Sequence, residues 1–68
     1  MRKPSYYILC WYDDGDTNQS KVVWHGIDRQ DAIRRFNSIK LTDYMFFSEL
    51  WETCDTYDED VRLDYKTL

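Results

Sequence analysis

From Tyr6 to Tyr12 the chain reads Tyr-Tyr-Ile-Leu-Cys-Trp-Tyr, apolar or aromatic at every position. Tyr7, Leu9 and Trp11 alternate against Ile8 and Cys10, so an extended segment here is greasy on both faces, as a central strand is. Pro4 ends a short basic lead-in, Arg2-Lys3, before it. Asp13 to Ser20 gathers Asp, Gly, Thr, Asn and Ser and predicts a turn or loop. Lys21-Val22-Val23-Trp24-His25 then predicts a second strand, hairpinned to the first.

Gly26 breaks that strand and Asp28 is a helix N-cap, because its carboxylate can accept an otherwise orphan backbone N–H. Ile27 and Ala32 stand where a hydrophobic staple would form. Ala32, Ile33, Phe36 and Ile39 recur at helical spacing and make one apolar stripe. Arg29, Gln30, Arg34, Arg35 and Asn37 take the other side, with Asp31 one turn from Arg34 and Arg35. A helix over roughly 28–40 follows.

Residues 44–54 carry two patterns. Phe47, Leu50, Trp51 and Cys54 fit a helical stripe, but Tyr, Phe, Trp and Thr favour strands, and an acidic turn follows at Asp55-Thr56-Tyr57-Asp58-Glu59-Asp60. After it Val61, Leu63 and Tyr65 alternate with Arg62, Asp64 and Lys66, the pattern of a half-buried strand. Residues 44–54 are therefore read as its hairpin partner. The predicted architecture is a small α+β domain of order ββαββ, an antiparallel four-stranded sheet with one helix packed on one face.

That arrangement carries an area argument. Four strands at about 4.8 Å spacing make a sheet roughly 19 Å wide, whereas one helix with its side chains is about 10 Å across. Phe47 and Trp51 alternate against Phe46 and Leu50, as Tyr7, Leu9 and Trp11 do against Ile8 and Cys10. Whichever set faces the helix, the other lies on a surface the chain cannot cover alone. Exposed apolar patches of that kind mark interaction sites, and Trp and Tyr are frequent interface anchors.

Composition sharpens this picture. The chain has 68 residues, with three Trp, six Tyr and three Phe against one His and two Cys. One domain is expected, and a domain so small buries only about 60% of the surface its unfolded chain exposes. Cys10 and Cys54 do not amount to a disulfide framework; buried reduced thiols in a cytoplasmic protein are expected. The aromatics take the place of covalent staples, since each buries about 150–250 Å². The run 6–12 is far short of the roughly 20 residues of a membrane-crossing helix. It also ends in Asp13-Asp14-Gly15-Asp16 without a signal-peptide cleavage site.

Charge is uneven. Residues 1–40 hold seven Lys/Arg and five Asp/Glu, whereas residues 41–68 hold two and eight, for a net −4 overall. The acidic half repels nucleic-acid phosphate, so direct nucleic-acid binding is disfavoured, while it attracts a basic protein surface. Arg34, Arg35 and the aromatics leave single-stranded nucleic acid as a secondary reading.

No catalytic group stands out. His25 lies at a strand end without a visible orienting partner. Cys10 and Cys54 have apolar or acidic neighbours, which raise a thiol pKa rather than activate it. Asp14-x-Asp16-x-Asn18 resembles the opening of a calcium loop, but Gln19 stands where Gly is needed and His25 where a bidentate Glu is needed. Neither a metal site nor a cofactor is expected.

In overall character (tiny, acidic, aromatic-rich) the chain is similar to small phage proteins that block host machinery, including anti-restriction and anti-CRISPR inhibitors. The resemblance covers composition only and carries over no residues. The expectation is a non-enzymatic binding module for a protein with a basic surface. Tyr7, Trp11, Phe47 and Trp51 are its anchors, and Glu49, Glu52, Asp58, Glu59 and Asp60 its acidic contacts, the last set able to mimic a nucleic-acid backbone. A two-fold homodimer through the same face is the alternative.

Overall fold

A computed structural model describes residues 3–68 of the chain; Arg2 of the basic lead-in lies outside them. Five elements follow one another: β1 (Ser5–Asp13), β2 (Asn18–Gly26), α1 (Arg29–Ser38), β3 (Met45–Thr53) and β4 (Val61–Thr67). They form one antiparallel sheet of order β2-β1-β3-β4, the ββαββ architecture expected. The doubly apolar segments β1 and β3 take the two central places, where both edges of each strand are hydrogen-bonded to neighbours. Residues 44–54 are a strand: their β-formers outweigh the helical spacing of four apolar positions.

Helix α1 starts at its N-cap as the sequence predicts. The Asp28 carboxylate accepts from the backbone N–H of Gln30 at 2.9 Å and of Asp31 at 3.5 Å. It ends with the Ile39 N–H donating to the Phe36 carbonyl. Lys66 of β4 then ties this end to the sheet, donating from Nζ to the carbonyls of Phe36, at 2.8 Å, and Ile39. A cation among the last carbonyls of a helix also meets the negative end of its dipole.

The core lies between α1 and one face of the sheet. Ala32 and Phe36 press onto Tyr6, Ile8 and Cys10 of β1 and Leu50 of β3, all buried, with Tyr12, Trp24, Ile39, Met45 and Leu63 packed around them. Gly26 lets the Trp24 ring fold close, since a Cβ there would stand 2.7 Å from the indole. Cys10 is buried and Cys54 half-buried, both as free thiols; Cys10 Sγ lies 3.3 Å from Ser48 Oγ.

Four local expectations are corrected. The first loop is shorter than Asp13–Ser20, because β2 already starts at Asn18; Gly15, at φ 87°, makes the turn. Ile27 is 79% exposed and forms no staple with Ala32. Ile33 is also exposed, since α1 turns only a narrow stripe to the sheet. Finally, Val61, Leu63 and Tyr65 do not share one buried face: only Leu63 reaches the core, while Val61 and Tyr65 are about half exposed. A register shift beside Leu50 and Trp51 is the cause. It places an extra residue in β4 and breaks the period of two, as a bulge does. Comparable shifts occur in the other two ladders, at Ile8/Leu9 and at Trp11/Tyr12.

Candidate interaction surface

The sheet face opposite the helix can be rebuilt from the register. Three rows cross the four strands in the order β2, β1, β3, β4: His25-Tyr7-Trp51-Arg62, then Val22-Leu9-Glu49-Tyr65, then Ser20-Trp11-Phe47-Thr67. Among the described residues no helix or strand packs on these rows, because α1 covers the other side. The two central columns hold two tryptophans, a tyrosine, a phenylalanine and a leucine, all half-buried by one another. Tyr65 and Val22 on the flanking strands are 53% and 54% exposed.

Rings on neighbouring strands are stacked in pairs across this face. Tyr7 and Trp51 are nearly parallel and stacked across the β1–β3 ladder, with centroids 6.2 Å apart and 6° between planes. Phe47 and Tyr65 do the same across β3–β4 at 5.9 Å and 21°. These pairs make the face an aromatic floor, and no cavity or cleft opens among the described residues. A floor of this kind suits a macromolecular surface more than a small ligand, which needs concavity.

One carboxylate sits within the floor. Glu49 is 7% exposed and is held from two sides: Trp11 Nε1–H donates to Oε1 at 2.9 Å and Arg62 Nη1 to Oε2 at 3.1 Å. The Arg62 guanidinium also stands over the Tyr65 ring, 4.6 Å from its centroid. The charge of Glu49 is thus spent inside the face. Trp51 Nε1 is buried with no hydrogen-bond acceptor, a deficit that costs about 1–3 kcal/mol and that stable cores normally avoid.

The predicted site residues divide as follows. Tyr7, Trp11, Phe47, Trp51 and Glu49 come together on this face. Asp60 joins its rim, accepting from the Tyr7 hydroxyl at 2.7 Å. Burial, then this bond, pushes the Tyr7 phenol up to about 12, and hydrogen bonds from Thr53 and Tyr7 hold the Asp60 carboxyl below its usual range. Asp58 and Glu59 are exposed in the adjoining turn.

Glu52 does not join them. The alternation that puts Glu49 on the open face puts Glu52 on the helix side, where it accepts from Tyr57 at 2.9 Å and pairs with Arg29 at 3.5 Å. The acidic hairpin is therefore not one continuous strip, and Glu49 and Glu52 are internally paired rather than presented. Leu9, Val22, Arg62 and Tyr65 belong to the face but were not among the expected contacts. Leu9 was legible from the alternation of β1, whereas Arg62 and Tyr65 needed the bulge in β4.

The remaining candidates stay apart. His25 is exposed at the end of β2. A hydrogen bond with the Thr56 hydroxyl, 3.3 Å from Sγ, lowers the Cys54 thiol rather than raising it as its neighbours in sequence suggested. Among the described residues no three His, Cys, Asp or Glu side chains gather as metal ligands. No helix there is long and apolar enough to cross a membrane. No protein family, curated protein or solved structure matches this chain.

Proposed function

We propose that this chain is a non-enzymatic protein-binding module that docks through the open face of its sheet. One observation carries the reading: the three rows across Tyr7, Leu9, Trp11, Phe47 and Trp51 form an aromatic floor without a cavity, and among the described residues no helix or strand packs on it. Ring-rich surfaces bury much area at little entropic cost, because aromatic side chains have few rotatable bonds. The exposed Asp58 and Glu59 beside the floor steer a basic partner toward it, adding to the association rate more than to the final affinity. Occupying such a partner's basic site would make the chain an inhibitor, in keeping with its likeness in composition to small phage proteins that block host machinery.

Affinity capture from the cell in which the chain acts, run with the unaltered chain and with Trp51→Ala and Tyr65→Ala, tests this. The module reading expects a captured protein that both changes weaken, Trp51→Ala more than the loss of any single carboxylate. A captured protein indifferent to both aromatic changes but lost on reversing the charges at 58–60 replaces the reading with acidic mimicry. Circular dichroism of each variant separates a lost surface from a lost fold.

A further inference from the structure

Both ends of the open face are acidic, and only the tertiary structure brings this about. Ser5 pairs with Thr53 at one end of the β1–β3 ladder, so the turn with Asp55, Asp58, Glu59 and Asp60 lies there. At the other end the Asp13 N–H donates to the Tyr44 carbonyl at 2.8 Å, which gathers Asp13, Asp14 and Asp16 of the first loop beside Asp43. Four carboxylates thus stand at each end; the cations nearest the turn are Arg62, engaged by Glu49, and Lys3 just before β1, and those nearest the loop are Lys40 and Lys21, the latter over the Tyr12 ring. A nine-residue strand separates the two groups by roughly 30 Å. Between them the face is electrically quiet, because Arg62 neutralises Glu49.

This arrangement discriminates between occupants. Two sheets that pack face to face keep their strands within about 30° of each other. A second copy in that pose, parallel or antiparallel, brings acidic end onto acidic end. A crossed pose separates the ends, but two faces about 19 Å wide then overlap over roughly 360 Å² each. That gives about 700 Å² in total, below the roughly 1,000 Å² a specific interface needs.

Resting on the reading of the open face as a docking surface, we infer that its occupant is not a second copy. It is a different protein surface, apolar in the middle, with two basic patches about 30 Å apart.

A complementary surface can be made from this fold itself. A copy carrying Asp14→Lys, Asp16→Lys, Asp43→Lys, Asp55→Lys, Asp58→Lys and Glu59→Lys keeps one carboxylate of the four at each end, so it presents the same floor between two basic ends, and all six positions are exposed. The unaltered chain alone is expected to sediment as a monomer at micromolar concentration in low salt. Mixed with the six-site variant it is expected to form a one-to-one complex that salt weakens. Variants reversed at one end only should bind at least about tenfold more weakly.

Dimerisation of the unaltered chain, or no complex with the six-site variant, overturns the inference. So does equal binding by the one-end variants. Placing Val22→Lys on the unaltered chain separates the two claims: if the complex forms undiminished, charge alone holds it and the docking role of the aromatic floor fails instead. Circular dichroism checks that each variant is folded.

Discussion

Arg62 Nη1 stands 3.1 Å from Glu49 Oε2, and this contact makes an apolar face possible around a carboxylate. Glu49 faces Leu9 across the sheet, in the middle of the floor. Glu49 is the buried member of the pair and Arg62 is 43% exposed; removing the cation strands the buried carboxylate, whereas replacing both by apolar groups is often neutral. Arg62→Met alone is therefore expected to destabilise the fold by about 1–3 kcal/mol, and Glu49→Leu with Arg62→Met to recover most of that loss. Urea unfolding of the double-mutant cycle measures it; additive single effects would show that the pair is not coupled.

Lys66 fastens the helix to the edge of the sheet through two carbonyls at the C-terminal end of α1, with its ammonium 4.9 Å from the centre of the Phe36 ring. Lys66→Met keeps the stem and removes the donor. A loss of about 1.5–3 kcal/mol is expected, the range for hydrogen bonds to charged groups. Amide exchange should quicken most in the last turn of α1; uniform quickening would mean that Lys66 acts on global stability alone.

Tyr7 links the floor to the acidic turn through Asp60. Its phenol sits at about 12 in the fold against an ordinary 10.0, so the native state holds the proton that the unfolded chain releases first. The stability this supplies is complete below pH 10 and declines as pH rises from 10 toward 12. Tyr7→Phe should flatten that part of the alkaline unfolding curve. A residual slope is expected, because Tyr6, Tyr12 and Tyr57 are also raised. Asp60 works in the opposite sense: its lowered carboxyl adds stability above its ordinary value of 3.8 that is lost as pH falls through the lower folded value.

The β4 edge carries its own guard. The Tyr65 N–H donates to Asp64 Oδ1 at 2.8 Å, so a donor on an outer strand is already engaged by a charged neighbour. Exposed edges invite pairing with other strands, and charge discourages it. Asp64→Ala is expected to leave the fold intact and to promote concentration-dependent association, read by sedimentation and dye binding. A monomer at all concentrations would show that Asp64 is not what keeps this edge apart.

Much of the architecture was legible in local pattern. Tyr6 to Tyr12 is apolar on both alternations and became a central strand, and Asp28 capped α1 as its carboxylate required. Phe47 and Trp51 could be placed with Tyr7 and Trp11 on one face because side chains alternate strictly along strands. The same rule separated Glu49 from Glu52, a division that counting carboxylates along the acidic half obscured. Tyr65 and Arg62 escaped because one bulged residue in β4 resets the alternation, and bulges depend on how two strands settle against each other.

Sequence by itself determined the elements, their order and the excess of aromatic surface over what one helix can cover, since these follow from short-range periodicity and area. Tertiary structure alone decided which face stayed open, that Arg62 neutralises Glu49 within it, and that acidic residues 30 positions apart, Asp13 and Asp43, meet at one end. Those are consequences of register and strand order, which couple residues distant along the chain and leave no mark in any short window of it.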